Sequence, residues 1–180
     1  MKQAMILKGE KTILRPIKLS DAPRFVKWFA DPEVTQFILA KRVTLVEERK
    51  WIRGLAKQKA KLTCAIDTQD GIHIGSIDFH KISKRDKNAT FGIVIGDKRY
   101  WNQGYGTDAT RVLIRYGFQK LKLHRIDLEV HENNPRAIAV YKRLGFKKEG
   151  VKRERVLRRG KFYDSIVMGI LENEWRAKSK

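Results

Sequence analysis

Cysteine occurs once, at Cys64, so no disulfide can form within the chain. A lone thiol fits a reducing compartment, and a cytoplasmic location is expected. Proline occurs four times and glycine 13 times, scattered along the chain. That spread excludes collagen-like and low-complexity classes. No stretch approaches the roughly 18 apolar residues of a membrane helix, so no membrane association is expected. The opening "MKQAMILKGEKTILRP" has only a four-residue apolar cluster and no small-residue cleavage site, and no signal peptide is read there. Asp, Glu, His and Cys show no ligand spacing, so no metal is expected. Acidic residues are scarce, 20 against 40 basic ones, for a formal charge of +20. Such a surface attracts anions and disfavours cationic partners. Its densest run is "KKEGVKRERVLRRGK", Lys147 to Lys161, where a ribosome or RNA contact is an expectation. The plain alternative is a solvated, soluble surface, and the spread of basic residues along the whole chain favours it.

With 180 residues and 42% hydrophobic content, the chain can bury one sizeable core. One domain over 1–180 is expected, with its core at about 11–172. "KTILRPI" alternates like a strand. "SDAPRFVKWFAD" reads as a helix capped by Ser20 or Asp21, with Pro23 in its first turn. Thr44 to Ala60 reads as a second helix, opened by a Thr44/Glu47 capping box. Its expected buried face carries Leu45, Val46, Trp51, Ile52, Leu55 and Ala56. "LTCAID", "IHIGSIDFHKI" and "ATFGIVIGD" read as three strands. "TDATRVLIRYGFQKL" is helical, "HRIDLEV" a strand, and "NPRAIAVYKRLGF" a helix capped by Asn134 and closed by Gly145. "GVKRERVL" and "KFYDSIVMGIL" end the order as strands. The pattern predicts an α/β (α+β) fold: a mixed, mostly antiparallel sheet of about six to seven strands, about four helices, and one strand–helix–strand crossover.

Two stretches carry chemistry. "WNQGYGT" places Gly104 and Gly106 between a strand and a helix. Free amides and the helix dipole there suit a pyrophosphate. Gly-x-Gly alone is weak evidence and reads more readily as a turn, with Thr107 and Asp108 as helix caps. It is neither a Walker loop nor a dinucleotide fingerprint. "NPRAIAVYKRLGF" places Tyr141 on the face of Ala137, Ile138 and Leu144. From spacing alone it reads as a core tyrosine, or as one aiming its hydroxyl at a cleft.

Together, about thirty residues apart with a strand between, the two stretches resemble the GNAT superfamily of acetyl-CoA-dependent N-acetyltransferases. The likeness covers nearly the whole chain and is nearest the branch of ribosomal-protein-alanine and spermidine acetyltransferases. It implies a single acetyltransferase domain that moves an acetyl group from acetyl-CoA to a primary amine. It implies that the amides of Asn102, Gln103, Gly104, Tyr105, Gly106 and Thr107 hold the CoA pyrophosphate. Ile93, Val94 and Ile95 would pair along the pantetheine arm, with Asn134 and Ala137 also on the cofactor side. The amide of Val94 or Ile95 would stabilise the oxyanion. Tyr141 would also lie against the cofactor and would protonate the departing thiolate as general acid. Trp101 stands where the family keeps Gln or Arg.

For the base, Asp78 and His80 alternate on one strand face, Asp78 as base or acceptor contact. An exposed polar strand face is as fair a reading of both. Glu129 could also reach the cleft or face solvent, and His124 and His131 carry no role. Cys64 reads as structural rather than as a nucleophile. "QFILAKRVT" between the first two helices has no acid, which argues against a polyamine acceptor. A protein N-terminus of ribosomal-protein type, an amino sugar or an acid-bearing amine fits a basic enzyme better. Monomer and homodimer both remain open. The competing readings are a basic nucleic-acid-binding or ribosome-binding module, and a CoA-binding fold without turnover.

Overall fold

The computed structural model describes residues 5–38, 42–58 and 60–178. Eight strands and six helices are present among them, in mixed α/β order. The strands are β1 (Leu7–Lys8), β2 (Thr12–Pro16), β3 (Leu62–Thr68), β4 (His73–Ser83), β5 (Asn88–Ile95), β6 (Arg125–His131), β7 (Lys147–Arg158) and β8 (Lys161–Leu171). The helices are α1 (Ala22–Ala30), α2 (Pro32–Thr35), α3 (Leu45–Leu55), α4 (Tyr105–Gln119), α5 (Pro135–Leu144) and α6 (Glu172–Lys178). This exceeds the six to seven strands and four helices expected. The additions, β1, α2 and α6, are two, four and seven residues long, too short to show a clear period.

The chain forms two compact units, Met1–Lys81 with Gly92–Ile114, and Ile82–Phe91 with Arg115–Lys180. In the first, β1, β2, β3 and β4 follow one another antiparallel, with a bulge between Ile66 and Asp67. Leu14, Cys64, Ala65, Ile66, Ile74 and Ile77 are buried. In the second, β6 pairs antiparallel with β8 over seven residues, and β8 with β7. The N-terminal half of β5 pairs parallel with β6 from Asn88↔Arg125 to Thr90↔Asp127, where the register ends. The chain order β5, α4, β6 is the crossover that the sequence suggests. Arg159 and Gly160, both at positive φ, close the two-residue turn between β7 and β8.

Helix α3 is shorter than the expected Thr44–Ala60 and buries a different stripe. Thr44 accepts from the Glu47 amide and Glu47 reaches back, as the capping box requires. The buried residues, however, are Glu48 and Ile52, while Val46 is 77% exposed. Val46 stands about 100° around the helix from Leu45 and so misses the Leu45–Glu48–Ile52–Leu55 line. Burial pushes the Glu48 carboxyl above its ordinary value.

An ion cluster ties β2 to β3 and to the turn before α1. Arg15 Nη1 and Nη2 bond Asp21 at 2.8 and 2.9 Å, and its Nε bonds Asp67 at 2.5 Å. Burial opposes charge on Arg15, but these bonds outweigh it and keep the guanidinium protonated. Burial likewise pushes Asp21 up, yet Arg15, the Lys18 amide and His73 together hold it below the ordinary carboxylate range. Asp21 therefore contributes stability that is complete above about pH 5 and is lost as pH falls through its lowered value. Asp21→Asn is expected to cost about 3 kcal/mol at pH 7. In urea melts at pH 7 and pH 3, wild type should lose more stability on acidification than the variant does. Equal losses would overturn the assignment.

Candidate active site

The first unit builds a glycine turn. Strand β5 ends at Ile95, and the Gly96 and Asp97 amides both donate to the Ile74 carbonyl. A Cβ on Gly96 would lie 2.1 Å from the Trp28 ring, so only glycine lets the chain pass there. Asp97 then holds Arg99 through backbone and side-chain bonds. Trp101 packs on the buried Phe25, Trp28 and Val34 and donates its indole N–H to the Ile95 carbonyl at 2.7 Å. The aromatic residue in place of a polar one is thus an anchor, fixing the start of the loop against the end of β5.

Asn102 and Gly104 follow at φ 61° and 85°. The first α4 backbone bond runs from Asp108 N to Gly104 O at 2.9 Å. The amides of Tyr105, Gly106 and Thr107 come before that bond, where a helix start leaves donors without intrahelical acceptors. A Cβ on Gly106 would meet Ile95 and Ile93 at 3.6 and 4.0 Å, ordinary contact. The fold therefore does not demand glycine at 106, and its missing side chain leaves backbone open.

Asp108 corrects the reading of Thr107 and Asp108 as helix caps. Both lie inside α4. The buried Asp108 carboxylate accepts from the Glu10, Lys11 and Thr12 amides at 3.1, 3.0 and 3.0 Å and from the Thr12 hydroxyl at 2.7 Å. Lys11 Nζ adds a bond to the Gln103 carbonyl at 3.0 Å. The turn between β1 and β2 thus clamps the glycine turn from outside. Gly9 belongs to this clamp, since a Cβ there would lie 2.2 Å from Asp108 Oδ2.

Strand β5 presents two faces in this unit. Ile93 and Ile95 face Gly106, and Val94 packs on the Phe25–Trp28–Val34 cluster. A Cβ on Gly92 would lie 2.7 Å from Asp78 Oδ1 and 3.5 Å from His80 Cε1. Asp78 and His80 are themselves joined, Nδ1 to Oδ1, at 3.3 Å. Cys64 on β3 is fully buried, and burial and then the Asp78 charge push its thiol up to about 12. It is structural, as expected, because a nucleophile needs the thiolate.

The second unit holds Asn134, Ala137 and Tyr141. Asn134 Oδ1 accepts from the Ala137 amide at 3.2 Å, and Gly145 closes α5 at φ 104°. Both helix ends are as the sequence indicates. Tyr141 stands edge-on to Phe91 and Phe146, at 6.0 and 5.8 Å between ring centroids. Burial pushes its phenol up to about 12, so it carries its proton at neutral pH. Glu129 is engaged by Lys152 and by the Ser165 hydroxyl, and its pKa is lowered first by Lys152. Burial lowers the pKa of His131. Residues 39–41 of "QFILAKRVT" lie outside the described residues.

A family model for the acetyltransferase (GNAT) domain matches residues 11–147. The chain belongs to the GNAT acetyltransferases and is an N-acetyltransferase. It is 30% identical over 158 residues to the L-amino acid N-acetyltransferase AaaT of Escherichia coli, covering 87% of this chain and 95% of that one. It is 31% identical over 111 residues to the spermidine N(1)-acetyltransferase of the same species, covering 62% of this chain and 59% of that one. The fold matches that of spermidine N-acetyltransferase from Vibrio cholerae in complex with CoA and spermine, at TM-score 0.86 and 21% identity over 92% of this chain and 98% of that one. No group of His, Cys, Asp or Glu suited to a metal ion occurs among the described residues. No helix among them is long and apolar enough to cross a membrane.

Proposed function

We propose that this chain transfers an acetyl group from acetyl-CoA to a primary amine by direct attack. The observation that carries the reading is the glycine turn, whose Tyr105, Gly106 and Thr107 amides precede the first α4 bond. That is the donor set a pyrophosphate needs at a helix N-terminus. Asn102, Gln103 and Gly104 complete the phosphate loop. The backbone of Ile93, Val94 and Ile95 pairs along the pantetheine arm, with Val94 or Ile95 N–H on the oxyanion. Asn134 and Ala137 serve the cofactor side of α5. When bound, acetyl-CoA supplies the activated acyl carbon.

Tyr141 then acts on the leaving group. An ordinary thiol has a pKa of about 8.5, below the value of about 12 reached by the phenol. The thiolate is therefore the weaker base. Tyr141 helps by donating a hydrogen bond to sulfur as the C–S bond breaks, and the released thiolate then takes its proton from water while Tyr141 keeps its own. Tyr141→Phe is expected to lower kcat by roughly 10- to 100-fold while leaving the acetyl-CoA dissociation constant unchanged. Stopped-flow thiol release together with calorimetry checks both halves. An unchanged kcat would remove Tyr141 from the mechanism.

For the acceptor we favour an amine that carries little positive charge or bears an acid: a protein N-terminus, an amino sugar or an amino acid. The +20 chain repels cations, and the relative AaaT is named for L-amino acids. Arg153, Arg155 and Arg159, exposed on β7 and its turn, would favour an N-terminus presented beside RNA phosphates. A panel of N-terminal peptides, amino acids, amino sugars and spermidine with acetyl-CoA tests this. Preferential turnover of spermidine would overturn the acceptor assignment.

A further inference from the structure

The geometry points to His80 as the base that takes the amine proton, with Asp78 as the residue that positions it. This rests on the acetyl-transfer reading above. Asp78 alone is the candidate that a strand face suggests, but the two side chains are not equivalent. Asp78 Oδ1 meets His80 Nδ1 at 3.3 Å. An ionised carboxylate only accepts hydrogen bonds, so the proton of a neutral imidazole sits on Nδ1. Nε2 then carries a free lone pair. Asp78 holds the ring in this tautomer and stabilises the imidazolium once it forms, the division of labour found wherever a carboxylate backs a catalytic histidine.

Position supports the assignment. The His80 ring edge lies over Gly92, with Cε1 and Nδ1 3.5 and 3.6 Å from a Cβ built there. Gly92 is two residues before Val94, which with Ile95 is one of the two whose amide the reading places on the oxyanion. A Cβ at 92 would meet Asp78 Oδ1 at 2.7 Å, so a side chain there would push the Asp78 carboxylate out of its place beside His80. The His80 and Asp78 side chains are 36% and 30% exposed, so the pair is partly open to an incoming amine. The other acid that the sequence offers, Glu129, is occupied by Lys152 and Ser165. In the step, the amine lone pair forms the C–N bond while His80 Nε2 accepts the N–H proton. The C–S electron pair leaves with sulfur, and the imidazolium returns its proton to water.

His80→Gln, His80→Ala and Asp78→Asn test the pair, each assayed for acetyl-CoA affinity by calorimetry and for kcat by thiol release with the best amine of the panel. His80→Gln should lower kcat roughly 100-fold or more with acetyl-CoA affinity unchanged. Added imidazole should restore part of the His80→Ala activity. Asp78→Asn should lower kcat by roughly tenfold with little change in the amine KM, because the ring stays in place but its imidazolium loses support. An active wild type with an equally active His80→Gln would overturn the proposal alone. Variants that lose acetyl-CoA affinity in step with kcat would also overturn it, placing the pair in cofactor binding. A wild type that neither binds acetyl-CoA nor releases thiol would overturn the acetyl-transfer reading itself.

Discussion

Gly104→Val is expected to weaken acetyl-CoA binding severely while leaving the fold intact. Gly104 stands at φ +85°, a region that costs a β-branched residue more than 1 kcal/mol to hold. Space is not the obstacle: a Cβ there would have only Lys11 Nζ near it, at 3.9 Å. The valine will therefore escape by turning the backbone rather than by pushing on a core. Gly104 O accepts the first α4 bond, so that rotation re-aims the Tyr105, Gly106 and Thr107 amides together. Phosphate binding through backbone donors depends on their convergence. The dissociation constant should rise by roughly 100-fold or more, equivalent to about 2.7 kcal/mol. Circular dichroism should remain that of wild type. Affinity within about threefold of wild type would return the stretch to an ordinary turn.

Asp108→Ala is the largest stability effect expected. Its carboxylate serves three amides and one hydroxyl of residues 10–12. Removing it leaves those donors without their acceptor, at roughly 1–3 kcal/mol for each one that water cannot reach. Water can reach part of the Glu10 and Lys11 bonds, so the total should be about 3–5 kcal/mol, a Tm drop on the order of 10 °C. Asp108→Asn should recover only part of this, because its NH2 group faces donors. Acetyl-CoA affinity should fall in both variants, since the clamp on the first turn of α4 is lost. A melt shifted by less than about 2 °C would show that the amides find other partners.

The features legible in the sequence are those written within a few residues of chain. The Thr44/Glu47 box, the Asn134 cap, the Gly145 terminus and the Gly104–Gly106 turn each depend on local geometry, and each has the conformation that its residues suggest. What could not be read depends on residues far apart. Asp108 looks like a first-turn acid at a helix dipole, yet its partners lie 96 to 98 positions away. Trp101 looks out of place until Phe25, Trp28 and Val34 are packed beneath it. Val46 is exposed against expectation, because an apolar residue adjoining a buried stripe is indistinguishable by composition from one within it. Gly92 carries no local signal at all. The neighbours that a Cβ there would meet, Asp78 and His80, lie on another strand.

In the proposed function, the loop from Asn102 to Thr107 holds acetyl-CoA for transfer to an amine. Isothermal titration of the wild-type chain with acetyl-CoA, repeated in the presence of excess CoA, tests it most directly. The expected result is saturable one-to-one binding that CoA competes away and that Gly104→Val weakens by roughly 100-fold or more. Absence of binding, or binding that CoA does not displace and Gly104→Val does not weaken, would contradict it.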